Sequence, residues 1–313
     1  MVTGPVAVTG GTGFVGRHVL AHLTANKISA RVLARDRQAA EKLGVAEIVE
    51  GALQDKAALE QLCTGVETVV HIAGVISAGR KADYEAVNVI ATARLVQAAR
   101  KARVKNFILM SSVAAREPGL SDYGASKRQG ELELRREAGD MTWSILRPPP
   151  VYGPGDKGTL SLFQQLSRKT AILPGTEHSR FSVIYVKDLA EAISAMLDQK
   201  VESGGIYEIH DGHDEGYSWK ELALVAGKAE GHVVTCRFLP RAVADIFGIG
   251  GLIVGRLTGR TPMATPGKIV ELYHEDWVAR HNLLDQHISW QPKTLFDEGY
   301  KHTMAWYREQ GWI

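Results

Sequence analysis

The sequence predicts an α/β fold, a doubly wound parallel sheet of the Rossmann type about seven strands wide, with a smaller C-terminal subdomain appended. Three observations carry this expectation. The apolar run Val6, Ala7, Val8 breaks into glycines at Gly10, Gly13 and Gly16 and re-emerges as an amphipathic segment over 14–25. Strand-like apolar runs then alternate with helical ones, the pattern of a sheet covered on both faces. A chain of 313 residues, 45% hydrophobic and 23% charged, is long enough for one large core plus a smaller added region.

The same composition narrows the partners. A net charge of +2 with no basic arm and no stacking-aromatic array interleaved with Lys and Arg gives no expectation of nucleic-acid binding. Cys63 and Cys236 have no metal or redox spacing and suit a reducing compartment. The apolar start reads as the first strand, not a signal peptide, because no basic region precedes it; the cytoplasm is the expected location.

In chain order, 6–8 is a central parallel strand, and Gly10, Gly13 and Gly16 stand at the spacing that lets backbone approach a pyrophosphate and a helix pack on the sheet. Thr12, Phe14 and Val15 belong to the same turn. The helix over 14–25 aims its amino end at the phosphates, where free N–H groups and the dipole favour negative charge. The stretch 30–34 is the second strand. Its carboxyl end lies beside the adenosine ribose, where an acidic residue would favour NAD; the chain instead has Arg35, Asp36 and Arg37, which points to NADP(H) over NAD(H). Two other readings stay open: the arginines are solvated loop residues, or Asp36 turns inward to a ribose hydroxyl.

A third strand is expected at 47–50, a helix at 56–63 and a fourth strand at 68–73, ending at Gly74. His71 lies within that apolar strand and reads as a satisfied core residue. The period of 84–102 is helical, with Asn88 near its start placed to reach the floor of a site. The fifth strand, 106–112, ends in two hydroxyls. Tyr123 and Lys127 follow, four apart and so on one helix face. An ammonium beside a phenol lowers its pKa and makes it a usable proton donor and acceptor, while Ser112 at the strand end would bond the reacting oxygen.

With these residues the chain resembles the extended short-chain dehydrogenase/reductase family, also called the NAD(P)-dependent epimerase/dehydratase family. The resemblance runs through T-G-G-T-G-F-V-G at 9–16, V-V-H-I-A-G at 69–74, N-V-I-A-T at 88–92, the Ser111 and Ser112 pair, Tyr123 and Lys127, L-R-P-P-P-V-Y-G-P-G at 146–155 and V-I-Y-V-K-D-L-A-E-A at 183–192. It implies a seven-stranded Rossmann sheet holding a nicotinamide cofactor, with Tyr123 as acid and base, Lys127 bonding the nicotinamide ribose and Ser112 polarising substrate. Leu53, Ala73, Gly74, Asn88, Pro150 and Val151 complete the cofactor contacts expected beside the glycine turn. Many relatives pair through two long helices, here 84–102 and 123–137, so a homodimer is expected by analogy.

Three departures from the family shape the expectation. Ala52 stands where many relatives hold adenine with an Asp. The loop between Ser112 and Tyr123 is short, which suggests an open pocket mouth. Pro150 replaces an Asn that binds the diphosphate of nucleotide sugars, and proline offers no N–H.

The expected division is a cofactor-binding core at 1–170 completed by 181–210, and a substrate-binding subdomain from 150–180 and 211–313. After 163–168 and the turn at Pro174 and Gly175, a strand is expected at 183–186, a helix at 189–197 and a strand at 205–210. The polar stretch 211–215 carries His213 and carboxylates but lacks the rigid ligand set of a metal site, so no metal is expected. A helix capped by Ser218 covers 217–229, and a short strand 233–238. The stretch 242–255 is the most apolar and falls short of the roughly 20 residues that cross a bilayer. It reads as a helix packed on its own core, or as a substrate lid or peripheral membrane contact, with Arg256, Arg260 and Lys268 nearby; 240–262 resembles the corresponding region of 3β-hydroxysteroid dehydrogenase-like members. Trp290 and the closing helix with Trp306 and Trp312 read as packing.

The expected activity is that of an NADP(H)-dependent oxidoreductase interconverting a ketone and a secondary alcohol on a hydrophobic small molecule, sterol-like or a long-chain oxo-lipid such as an oxo-sphingolipid. Its rivals are a nucleotide-sugar epimerase or dehydratase and a non-catalytic cofactor-binding scaffold.

Overall fold

The computed structural model describes residues 4–45, 47–199, 201–258 and 265–313, with the side chains of 253 and 255–258 left aside. Arg256 as a side chain, and Arg260 altogether, therefore lie outside the described residues.

The sheet-forming strands are short and apolar because each is covered on both faces. They are β1 (Val6–Thr9), β2 (Ala30–Ala34), β3 (Glu47–Glu50), β4 (Thr68–His71), β5 (Asn106–Met110) and β6 (Thr142–Arg147). After the short pieces β7 (Val151–Tyr152), β8 (Thr170–Leu173), β9 (Arg180–Phe181) and β10 (Ile184–Tyr185), β11 (Gly205–Glu208) closes the set. The order across the seven-stranded sheet is β11-β6-β5-β4-β1-β2-β3, and every pairing is parallel. In register, Val6 faces Ala30 on one side and Thr68 on the other. The chain reverses direction across the sheet between β1 and β4, and the crevice outside their carboxyl ends is where such sheets bind ligands.

The helices in the first half are α1 (Phe14–Ala25), α2 (Arg37–Glu41), α3 (Lys56–Cys63), α4 (Lys81–Tyr84), α5 (Ala91–Lys101) and α6 (Asp122–Glu137). Two cores result, one per face of the sheet. Val8, Leu20, Val32 and Ile193 belong to one, and Ala7, Leu59, Leu95, Phe107 and Leu134 to the other. The single helix expected over 84–102 is interrupted: Glu85–Ile90 is a π-helical stretch between α4 and α5. The apolar period survives that bulge, which is why spacing alone does not reveal it, but the bulge sets Asn88 inward. The backbone there runs so close to α6 that a Cβ on Gly130 would lie 2.3 Å from the Asn88 carbonyl oxygen.

The C-terminal part adds α7 (Leu160–Leu166), α8 (Val186–Asp198), α9 (Trp219–Glu230), α10 (Arg241–Thr258), α11 (Pro266–Leu272) and α12 (Phe296–Glu309). Ile184–Tyr185 is shorter than the expected 183–186 strand and pairs with Val151–Tyr152, outside the main sheet. Ser218 caps α9 as expected, in a reciprocal box with Glu221. A third core forms here and is aromatic: Phe163 stacks on Tyr300 at 5.3 Å, while Trp306 and Trp312 pack against its margin. Among the described residues no helix is long and apolar enough to cross a membrane, and no group of His, Cys, Asp and Glu could hold a metal ion.

Candidate active site

At the end of β1 the chain turns through Gly10 with φ +75°, a left-handed conformation that suits glycine. A Cβ there would lie 2.6 Å from the Ala73 amide nitrogen, and one on Gly16 only 2.1 Å from the Gly10 carbonyl oxygen. These positions bring β1, the residues after β4 and the start of α1 together. Gly13 is the N-cap of α1, supplies no side-chain cap, and the first turn carries no acidic residue. Thr12 and Gly13 are exposed, with Phe14 and Val15 half-buried behind them. An uncapped helix start at the crevice of an open sheet fits an anionic pyrophosphate.

The neighbouring floor is a closed chain of hydrogen bonds. Ala73 N–H donates to Thr9 Oγ1 at 3.4 Å, and Thr9 Oγ1 lies 2.6 Å from His71 Nδ1. His71 Nε2 is 3.0 Å from Thr92 Oγ1, whose own proton goes to the Asn88 carbonyl at 2.9 Å. That order assigns the imidazole proton to Nε2 and leaves Nδ1 accepting from Thr9. Burial first, and the Lys127 charge second, hold the His71 pKa down from 6.5 to about 3. His71 is thus a neutral core residue, as its place in the strand suggests. Because its pKa is depressed, the unfolded chain binds a proton that the folded one refuses, and stability is lost as pH falls from 6.5 toward 3 at about 1.4 kcal/mol per pH unit. Replacing His71 with Gln is therefore expected to flatten the difference in melting temperature between about pH 6 and pH 4; a slope equal to that of the wild type would refute the assignment.

Asn88 Oδ1 accepts from Val75 N–H at 2.8 Å, and Nδ2 donates to Val75 O and Ser126 Oγ, each at 2.9 Å. Asn88 thereby pins the strand-to-helix loop after Gly74 against α6. Ser121 caps α6, accepting from Gly124 N–H at 2.9 Å and donating to the Glu271 carboxylate. Two residues on, the Tyr123 hydroxyl is hydrogen-bonded to Ser112, which also accepts from Ala114 N–H at 3.2 Å. Lys127 is buried one turn further, its Nζ donating to Met110 O at 2.7 Å. A Cβ on Gly74 would lie 3.6 Å from that Nζ.

One electrostatic expectation is corrected. The Tyr123 pKa is not lowered by Lys127 but raised: burial is the main cause, and Glu271 and Tyr84 add to it against the Ser112 hydrogen bond. Lys127 is itself brought down to about 8 by burial, partly offset by Glu131. The ammonium is engaged by the Met110 carbonyl, so desolvation of the phenol prevails.

Tyr123 forms one wall of a cavity of ≈170 Å³ whose other lining includes Ile76, Tyr84, Leu252, Lys268 and Glu271. Lys268 Nζ is 6.0 Å from the centre of the Tyr123 ring and 3.0 Å from the Glu271 carboxylate. Glu271 and Tyr84 are not among the sequence-derived candidates; no local spacing marks them, since α11 reaches α6 only through the tertiary fold. Of the remaining candidates, Leu53 packs against the core beside α3, Pro150 is exposed with its carbonyl accepting from Ile184 N–H at 3.1 Å, and Val151 is half-buried in β7. Arg35 and Arg37 lie exposed after β2.

A parallel seven-stranded sheet with a glycine turn at its switch point defines a Rossmann-type enzyme, here an NAD(P)-dependent oxidoreductase. The chain belongs to the NAD dependent epimerase/dehydratase family, whose model matches residues 6–209. It is 36% identical to the ceramide reductase of Caulobacter vibrioides, over 99% of this chain and 96% of that protein. It is 26% identical to the UDP-glucose 4-epimerase of Vibrio cholerae, over 95% and 94%. In fold it is similar to the UDP-glucose 4-epimerase of Bifidobacterium longum in complex with NAD+ and UDP, with a TM-score of 0.72 and 20% identity covering 98% and 99% of the two chains.

Proposed function

We propose that this protein reduces the ketone of a long-chain oxo-lipid, of the N-acylated oxo-sphingolipid kind, to a secondary alcohol, with NADP(H) preferred over NAD(H). The observation that carries the reading is Tyr123 on the wall of a cavity that also takes in Ile76 and Leu252, with Ser112 hydrogen-bonded to its phenol from behind that wall. The near end-to-end similarity to a ceramide reductase supports the substrate class. Pro150, exposed and without an N–H, favours it over a nucleotide sugar.

When bound, the nicotinamide supplies the hydride that goes to the carbonyl carbon. Gly10, Gly13 and the first turn of α1 hold the pyrophosphate, and Lys127, beside Gly74, bonds the nicotinamide ribose. Ser112 O–H donates to the substrate carbonyl oxygen and steadies the charge that develops there. Tyr123, whose phenol burial keeps protonated, gives its proton to that oxygen. In the opposite direction the same phenol would have to ionise first, so the raised pKa favours reduction. Two copies pairing through 84–102 and α6, where Ile90 and Leu132 are exposed, belong to the same proposal, and a solution mass of two chains tests it.

The cofactor preference rests on the loop after β2. Asp36 caps α2 by accepting from Ala39 N–H at 3.0 Å, and Arg37 pairs with Glu41 at 3.0 Å. Arg35 is exposed and makes no ion pair among the described residues, which leaves it available to a ribose 2′-phosphate. Arg35→Ala is expected to raise KM for NADPH about tenfold and leave KM for NADH unchanged; equal effects on both would remove the preference.

The direct test supplies purified protein with NADPH and an N-acyl 3-oxo long-chain base in detergent. Stoichiometric cofactor oxidation and the secondary alcohol by mass spectrometry are expected. Interconversion of UDP-sugars with no net cofactor turnover would replace this reading with the epimerase one. Firm NADPH binding without turnover across a panel of ketones would leave a scaffold.

A further inference from the structure

The large apolar side chains of α10 face the wrong way for a helix that merely packs on its own domain. At about 100° per residue, Val243, Ile246, Phe247 and Val254 fall within one third of the circumference, and all are exposed, Ile246 by 70% and Phe247 by 63%. Ile249, also exposed, flanks that stripe. The opposite stripe is Ala244, Gly248 and Leu252. Ala244 and Gly248 are buried, and a Cβ on Gly248 would lie 3.1 Å from Ile269 Cγ1, so small residues let α11 approach closely. A surface helix of a soluble domain ordinarily shows the reverse, large residues inward and polar ones outward.

Two further observations say what covers this face. From Arg237 to Lys268 the sequence carries five cations against a single acid, Asp245, and Arg241 sits exposed at the first position of the helix. The inner stripe ends on Leu252, which lines the cavity at Tyr123, and Ile76, 65% exposed, lines it too. An apolar outer face on a segment of net positive charge fits an anionic bilayer, into whose headgroup boundary such a helix sinks while lying flat. We infer that α10 docks this protein on an anionic membrane surface, lying between the lipid layer and the Tyr123 cavity that its inner stripe lines. The role of this docking, delivery of a bilayer-resident substrate, rests on the lipid-reductase reading; the docking itself does not.

The test is co-sedimentation of the full chain with vesicles of phosphatidylcholine alone or mixed with phosphatidylglycerol. Wild type should sediment with the mixed vesicles, release as salt is raised, and stay in solution with phosphatidylcholine alone. The double substitution Ile246→Ser, Phe247→Ser should weaken that binding at least about tenfold, with its melting temperature and its NADPH affinity unchanged. Wild type failing to sediment with the mixed vesicles would overturn the inference, as would a double variant that binds like wild type. A two-chain mass in solution that the double substitution reduces to one chain would overturn it in favour of an interface between copies. Vesicle binding is read without turnover, so a failure of the proposed ketone reduction would leave this result standing on its own.

Discussion

Tyr123→Phe is expected to lower the rate of ketone reduction by roughly a thousandfold, the midpoint of what one positioned general acid contributes, while KM for NADPH stays within about twofold. The substitution removes one oxygen from a side chain whose ring stays packed near Tyr84, 6.3 Å between centroids, and under Lys268. The cost therefore falls on proton transfer, not on folding. The pH profile gives a second readout. Tyr123 keeps its proton through neutrality and beyond, because burial raises its pKa, whereas Lys127 has been brought to about 8. Reduction by wild type should then decline above about pH 8 as the Lys127 ammonium is lost, before the phenol itself ionises. A variant retaining more than a tenth of wild-type turnover, with a measured ketone substrate, would show that Tyr123 does not carry the proton.

What the sequence made legible was local. The strand, the glycine turn and α1 are coded within residues 6–25, and the Tyr123 and Lys127 spacing lies within one helix, so both could be read without knowing the fold. The π-helical stretch at Glu85–Ile90 was hidden because inserting one residue into a turn leaves the apolar period nearly intact. The raised pKa of Tyr123 was hidden for a different reason: proximity of a lysine in sequence says nothing about where its ammonium points, and here it bonds the Met110 carbonyl. Glu271 and Lys268 come to the cavity from far along the chain, by the packing of α11 on the start of α6, where a Cβ on Gly267 would touch Ser121 at 3.2 Å. The apolar character of 242–255 could be counted, but which face it presents depends on the small residues that let α11 close over the other side.

Glu131→Ala should cost about 3–5 kcal/mol of stability, the range for breaking one partner out of a buried ion pair. Glu131 is fully buried on α6, one turn beyond Lys127. Its carboxylate accepts from Arg147 Nε at 2.8 Å and Nη2 at 2.6 Å, from Ser111 Oγ at 2.6 Å and from Arg128 at 3.2 Å. One side chain thus ties α6 to the ends of β5 and β6, next to Ser112 and close behind Lys127. Removing it leaves the buried Arg147 guanidinium without its hydrogen-bonded carboxylate, Glu208 remaining only as a nearby charge, so the loss exceeds that of the hydrogen bonds alone. The paired replacement Glu131→Met, Arg147→Met removes both charges and should recover most of the stability measured by chemical unfolding. Catalysis should separate from stability in that double variant: with Ser111 released, the Ser112 hydroxyl is no longer held against Tyr123, and kcat should fall severalfold although the chain is folded and NADPH binds. Full activity in the folded double variant would mean that the pair serves the sheet alone, and that Ser112 and Tyr123 are aligned by the Ser121 cap and the Asn88 clamp.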